Sequence, residues 1–417
     1  MDEPTNITQP DVAIIGAGPA GLRAATKLAP RLPGKVIVFE RESMAGGIPR
    51  HADHPGYGLR DRKRSYSGPS YAKKLVSEAL AAGAQIETRT QVTGWHDDNV
   101  LEATSPHGRI LISPRAFVFA TGARERPRTA RLIPGDRPAG VYTTGELQNA
   151  VHLHHREVGS RAIIVGAELV SWSAAMTLKE AGTKVVALVS KYPRAESYTA
   201  FNIGGRLMFS TKVITNSRVV SIEGRPRVTH VVIEDVRTGK RTTVPCDTVV
   251  MTGDWIPDNE LLRLRGIELD SRSLGPIVDA SMQTSIPGIF SVGNVNHPVE
   301  TADVVALEGE YVAERVLEYL AGKHRSENGL SLKPSGALSW ISPSIIRSTD
   351  VHPARHRLVG EVDSFIRFPT VTVQQGGTEV TKKKLLWPAS PGRVFRIPTS
   401  IMKDVNPGMG DVTINVS

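Results

Sequence analysis

Short uninterrupted apolar runs alternate with stretches of helix formers through most of the chain. Asp11-Val-Ala-Ile-Ile15, Lys35-Val-Ile-Val-Phe39, Arg115-Ala-Phe-Val-Phe-Ala120, Arg161-Ala-Ile-Ile-Val165, Lys184-Val-Val-Ala-Leu-Val189 and Asp247-Thr-Val-Val-Met251 are apolar at successive rather than alternate positions. That is the pattern of strands buried on both faces of a parallel sheet. Leu22–Ala29, Glu146–Arg156, the stretch through Leu178 and Thr301–Val316 read as helices, the last with apolar positions at three-to-four spacing. Strand–helix alternation of this kind predicts an α/β fold. After Gly322 the pattern changes. Lys323 to Gly336 is polar and reads as a linker, and short runs follow at Ala337–Ile341, Arg357–Val362, Ser364–Val373, Lys384–Trp387, Val394–Ile397 and Val412–Val416. With Gln375-Gly-Gly-Thr378 as a hairpin turn, they predict a small C-terminal β domain.

The first run leads directly into Gly16-Ala-Gly-Pro-Ala-Gly21, then a helix, a second strand and Glu40. Each part has a physical task in binding a dinucleotide. Gly16 permits the tight turn, Gly18 lets backbone amides approach a pyrophosphate, and Gly21 allows close helix–strand packing. The helix N-terminus supplies partial positive charge, and Glu40 would accept both hydroxyls of an adenosine ribose.

Composition narrows the chemistry. The 417 residues include one cysteine, Cys246, which excludes within this chain a disulfide framework, a CxxC pair, a cysteine zinc site and a four-cysteine cluster. Redox chemistry therefore calls for an organic cofactor or another subunit. Next to its apolar strand, Cys246 reads as an inert buried thiol. The net charge of +9 reads as surface charge. The basic runs Arg60–Arg64 and Arg124–Arg128 lack interleaved aromatics, so they read as solvated loops, not as a nucleic-acid site. No apolar run approaches the roughly 20 residues needed to span a bilayer, and Met1 to Pro10 shows no signal pattern. A soluble cytoplasmic protein is expected, with no membrane or nucleic-acid partner.

Four pieces in order carry a resemblance: the first glycine motif with Glu40, Ala120-Thr-Gly122, a second nucleotide-type unit near 161–190, and Gly293-Asn294. Residues 11 to 322 resemble the two-dinucleotide-domain flavoproteins of the pyridine nucleotide–disulfide oxidoreductase superfamily. The resemblance implies a Rossmann-like FAD-binding domain (1–140 and 280–322) holding a nested NAD(P)-like domain (141–279), followed by the linker (323–336) and the β domain (337–417). It implies an FAD site of Gly16, Gly18, Pro19, Ala20, Gly21, Glu40, Arg41, Gly47, Ile48, Val92, Thr121, Gly122, Gly293, Asn294, Thr301 and Ala302. Asn294 stands where the family usually has an aspartate holding a ribityl hydroxyl; an amide can still bond that hydroxyl. The helix after Thr301 would point at the flavin N1–C2=O edge.

Gly46-Gly-Ile-Pro-Arg-His-Ala-Asp-His-Pro-Gly-Tyr-Gly-Leu59 and Ser67-Gly-Pro-Ser-Tyr-Ala72 look like the small flavoprotein subunit of opine oxidase, hydrogen cyanide synthase and amino-acid or glycerol-3-phosphate dehydrogenase complexes. That resemblance implies a second flavoprotein subunit or a homo-oligomer as partner. Some members have a cysteine where this chain has Ala52, and many carry a C-terminal cysteine cluster; this chain has neither. His51 and His54 in this segment are candidates for proton transfer or substrate binding, and Arg50 for a phosphate.

The second unit keeps only Gly166 of three glycines, with Glu168 and Ser171 at the other two positions. A carboxylate there repels a diphosphate and fills its space, so NAD(P) binding there is doubtful. A shifted NAD(P)H pose would use Lys191 and Arg194. His152 and His155 share a predicted helical face but lack further ligands, so no metal site is expected. The expected function is an FAD-dependent oxidoreductase subunit that oxidises a small-molecule substrate (an amine, imino acid or hydroxy compound) by hydride transfer to flavin, beside a partner subunit. The alternatives are an NAD(P)H-dependent flavin reductase or electron-transfer subunit, and a non-catalytic structural subunit. Disulfide reductase chemistry is excluded by the single thiol.

Overall fold

The computed structural model describes residues 7–298, 300–323, 329–347, 352–406 and 408–417. The first six residues and the middle of the expected linker, 324–328, lie outside them. The uninterrupted apolar runs become parallel strands in two five-stranded sheets. In the first, the order is Ile289–Ser291, Ala116–Phe119, Val12–Ile15, Val36–Phe39, Gln85–Glu87. Its strands serve two cores. Val12, Ile14, Val36, Val38 and Val118 face the helices with Leu22, Leu28, Tyr71, Leu75 and Val312. Ala13, Ile15, Ile37, Phe117 and Phe119 face the other way, onto Leu101, Ile112 and Trp95. Residues of both parities are therefore apolar, which is why the runs are unbroken.

The second sheet runs Val141–Thr143, Thr248–Met251, Arg161–Val165, Lys184–Val189, Lys212–Ile214, again parallel. Helix Leu169–Glu180 covers one face, and the antiparallel strands Ser217–Glu223, His230–Asp235 and Arg241–Pro245 cover the other. The chain then returns to the first sheet at Ile289 and closes it with helix Ala302–Leu320.

The remainder is two β-sheets. One has the order Ile345–Ile346, Leu330–Gly336, Val412–Val416, Thr370–Gln375, Thr378–Lys384; the other is Leu338–Ser342, Arg357–Val362, Phe395–Pro398. Leu332, Leu338, Leu358, Val371, Val373, Phe395 and Ile414 belong to a shared core. The hairpin at Gly376 and Gly377 has φ of +58° and +80°, the left-handed geometry a two-residue connection favours.

Three elements differ from the sequence reading. Residues 330–336, expected as linker, pair as a strand with Val412–Val416 because alternate leucines enter the core. The run Lys384–Trp387 is not a strand. The strand is Thr378–Lys384 before it, and Leu386 and Trp387 are exposed beyond it. The helix expected over 146–156 is an α-helix only over Thr144–Gln148, continued by a π-turn at Asn149–Leu153, and His155 is left-handed (φ +49°). His152 and His155 therefore do not share a helical face. Among the described residues no helix is long and apolar enough to cross a membrane.

Candidate functional site

The first glycine turn lies at the C-terminal ends of Val12–Ile15 and Ala116–Phe119, with helix Pro19–Leu28 starting from it. Its three glycines have different surroundings. A side chain on Gly16 would collide with the Ala120 carbonyl, and one on Gly21 with the Gly16 carbonyl. On Gly18 it would meet nothing within 4 Å. Gly18 thus faces open space at a helix N-terminus, where backbone amides suit a phosphate; Pro19 and Ala20 begin that helix. Loop 46–48 crosses the turn: Gly46 N–H bonds Ala17 O at 2.9 Å, and a side chain on Gly47 would press on Gly18 Cα. Ile48 stays half exposed beside it. The Glu40 carboxylate is buried and accepts from Ala17 N (3.0 Å) and Glu42 N (2.9 Å). It braces the turn and keeps a further lone pair on each oxygen for ribose hydroxyls. An FAD adenosine diphosphate moiety fits these features.

Other expected contacts are partly committed elsewhere. The Val92 side chain is buried in the core with Leu101 and Phe117, so a contact to the cofactor would fall to its backbone. Arg41 pairs with Asp258 at 3.2 Å. Thr121 Oγ1 donates to Asp258 O (2.6 Å), and Gly122 O accepts from Asp258 N (2.9 Å), so this turn is stapled to the second unit. Gly293 (φ +81°) sits against Ala20 and Val305. The Asn294 amide bonds both backbone groups of Glu300, Oδ1 accepting from Glu300 N at 2.9 Å and Nδ2 donating to Glu300 O at 3.2 Å. It locks its own loop and keeps a second N–H and a second lone pair for a ribityl hydroxyl.

The helix N-terminus at Thr301 and Ala302 already has acids. Glu300 Oε1 accepts from Thr301 N (3.0 Å), and Arg396 of the C-terminal β unit pairs with Glu300. Asp303 in the first turn pairs with Arg60 and also accepts from Arg60 N at 2.8 Å. The dipole is therefore complemented by the chain's own carboxylates, each with an arginine partner.

His54 links the two nucleotide-type units. Its Nδ1 lies 3.0 Å from Pro55 O, and its Nε2 lies 2.6 Å from Ser173 Oγ on helix Leu169–Glu180. With both ring nitrogens engaged, it positions the loop. Burial holds its pKa below the usual value. His51 is different: its Nδ1 is buried with no hydrogen-bond partner among the described residues. Burial, reinforced by Arg50, depresses His51 to about 4, so it is neutral at pH 7. Arg50 pairs with Glu42 at 3.4 Å. His152 uses Nδ1 on His51 O (2.5 Å) and Nε2 on Glu180 (3.2 Å), which explains it as an inter-unit tie.

The second glycine turn is filled. Glu168 caps helix Leu169–Glu180, and its Oε2 lies 2.7 Å from Ser171 Oγ and 2.9 Å from Thr252 Oγ1. A side chain on Gly166 or Gly253 would strike this carboxylate. It stands at the C-terminal ends of Arg161–Val165 and Thr248–Met251, the crevice where open α/β sheets bind ligands. A segment of the C-terminal β unit closes it from above. Ser390 Oγ donates to Glu196 O (3.1 Å), a side chain on Gly392 would press on Glu168 and Glu196, and Ala389 and Ser390 are buried. Arg194 stacks on Phe365 with its guanidinium carbon 4.8 Å from the ring centre, and Lys191 lies over Tyr192 at 5.2 Å. The two cations expected for a 2′-phosphate are exposed and rest on these rings. Burial and neighbouring Glu168 push Glu196 well above the usual carboxylate range, and burial lifts Glu125 to about 7. A dinucleotide diphosphate does not fit this crevice.

The basic runs divide: Lys63, Arg64 and Arg124 are exposed as expected of solvated loops, while other arginines in and beside the runs are structural. Arg128 is buried and donates to Ile133, Pro134 and Asp136 carbonyls, Arg131 ties down Thr252 and Gly253, and Arg62 joins Asp61 and Glu78. Cys246 is a free buried thiol, pushed up to about 11 by burial. Sequence reasoning missed Glu125, Glu196, Glu300, Arg396 and the 389–392 segment; only Ser-Pro-Gly at 390–392 marks itself, as an ordinary turn.

The family model for pyridine nucleotide-disulphide oxidoreductases matches residues 10–309. The chain is 27% identical to thioredoxin reductase of Treponema pallidum over 297 residues, covering 69% of this chain and 89% of that protein. It is 26% identical to an opine oxidase subunit of Rhizobium meliloti, covering 68% of this chain and 58% of that protein. Its fold superposes on the crystal structure of T. acidophilum thioredoxin reductase with a TM-score of 0.63 at 21% identity, covering 76% of this chain and 99% of that one.

Proposed function

The chain belongs to the pyridine nucleotide-disulphide oxidoreductase family, and on that premise we propose that it is an FAD-dependent electron-transfer oxidoreductase acting on a carrier outside itself. The family binds FAD and uses NAD(P)H. The observation that carries the reading is the intact first turn, with Gly18 open at a helix N-terminus and Glu40 braced beside it. FAD, when bound, supplies hydride acceptance and stepwise electron release. The chain's own residues hold and orient it: amides of 16–21 take the phosphates, Glu40 the ribose, and loop 46–48 lies along the turn. Cys246 has no second cysteine beside it, so this chain cannot relay electrons through an internal dithiol as a disulfide reductase would.

A second reading, oxidation of an amine, imino acid or hydroxy compound beside a partner flavoprotein, is supported by the likeness to the opine oxidase of Rhizobium meliloti. One experiment separates the two. Purified protein is reconstituted with FAD, and its visible spectrum is followed anaerobically. Bleaching by reduced carriers with reoxidation by artificial acceptors supports electron transfer; bleaching by an amino or hydroxy acid supports the second reading. Protein that takes up no FAD sinks both.

A further inference from the structure

The crevice of the second sheet is a complete ligand position by topology, yet the polar groups at its glycine turn bond one another. Glu168 supplies the anion at the helix N-terminus, where a bound phosphate would otherwise lie. Thr252 and Ser171 are turned onto that carboxylate. Above it, residues 389–393 of the C-terminal unit complete the filling, with Ser390 bonded to Glu196 O and Arg393 over the Tyr198 ring at 4.5 Å.

This segment is fixed from several sides. Gly392 N donates to the half-buried Glu361 carboxylate (3.2 Å). Phe365 meets Tyr192 edge-on at 6.0 Å and accepts Arg194 on its face. At the far side of the same unit Arg396 grips Glu300, and Ser344 N bonds Val278 O at 3.1 Å. A lid that opens on each turnover would rest on few, exposed contacts. Here charged pairs, ring contacts and buried backbone bonds act together.

We propose that residues 389–393 are the resident occupant of the second nucleotide crevice, with Glu168 in the place of a phosphate, so that NAD(P)H is excluded and the flavin draws its electrons from a donor that does not use this crevice. The inference rests on the reading of the protein as an FAD oxidoreductase and fixes its donor class. The C-terminal β unit thereby acts as a specificity element, converting a two-nucleotide scaffold into a one-nucleotide one.

Two measurements on the full-length FAD-loaded protein test it. In stopped flow, millimolar NADH and NADPH leave the flavin oxidised over a period in which dithionite bleaches it completely. In Ser390→Cys, whose other thiol is the buried Cys246, maleimide labels the new thiol roughly 100-fold or more slowly than in the unfolded chain. Rapid bleaching by either nucleotide overturns the proposal, as does labelling of Ser390→Cys at the rate of an exposed thiol. Protein without FAD fails the functional reading instead, and the labelling experiment still decides whether the crevice is closed.

Discussion

Arg396 Nη2 lies 2.5 Å from both carboxylate oxygens of Glu300, joining the C-terminal β unit to the residue that precedes the long helix Ala302–Leu320. The Glu300 side chain is 2% exposed, so removing its partner leaves a buried charge uncompensated. Arg396→Ala is expected to destabilise the protein by about 3–5 kcal/mol, measured by denaturant unfolding. A loss within experimental error would show that the pair anchors nothing.

Gly18 and Gly21 of the first turn should respond differently to alanine. Gly18→Ala meets no protein atom and has an ordinary φ of −79°, so the variant keeps its thermal midpoint. It intrudes where a pyrophosphate must approach, and FAD affinity falls about tenfold or more, at least ~1.4 kcal/mol. Gly21→Ala drives a methyl into the Gly16 carbonyl and lowers the midpoint as well. Equal FAD affinity for Gly18→Ala and the native protein, by fluorescence titration, would remove the turn from the cofactor site.

Cys246 is buried and its thiol is pushed up to about 11, so at pH 8 it is almost wholly protonated and shielded. A chromogenic disulfide reagent should find no reactive thiol in the native protein and one after unfolding. Cys246→Ala should leave flavin reduction rates unchanged. A slowed rate would give this thiol a part in electron flow.

Glu125 lies in the wall of the second crevice with Oε2 bonded to Gly145 N at 3.0 Å, and burial raises it from 4.5 to about 7. Over that interval the native state keeps a proton that the unfolded chain has released. The stabilising contribution is thus complete below about pH 4.5 and is lost as pH rises through about 7. Glu196 shifts in the same direction. The thermal midpoint of Glu125→Gln, measured from pH 5 to 8, should fall less steeply than that of the native protein. Parallel curves would show that Glu125 titrates normally.

The parallel sheets and the first turn were legible because their signals are local: unbroken apolar strands, three glycines at fixed spacing and Glu40 after the second strand. The damaged second turn was equally local, since Glu168 and Ser171 replace glycines in sequence. What closes that turn was not legible. Ser390 meets Glu196 across 194 residues, and no periodicity records such a contact. Asn294 was legible only as a polar side chain at the turn; its pairing with Glu300, six residues on, depends on the return of the loop. His155 misled because helix-forming neighbours do not reveal a left-handed residue.

In the larger sheet of the β unit, Val412–Val416 is the middle strand, parallel to Leu330–Gly336 and antiparallel to Thr370–Gln375. During synthesis the two nucleotide-type units emerge first and can fold as they appear, while this sheet waits for residues 412–416 to bridge its halves. Biogenesis therefore passes through an interval in which the second crevice is bare, and the pairing of Val412–Val416 with its two neighbours ends it.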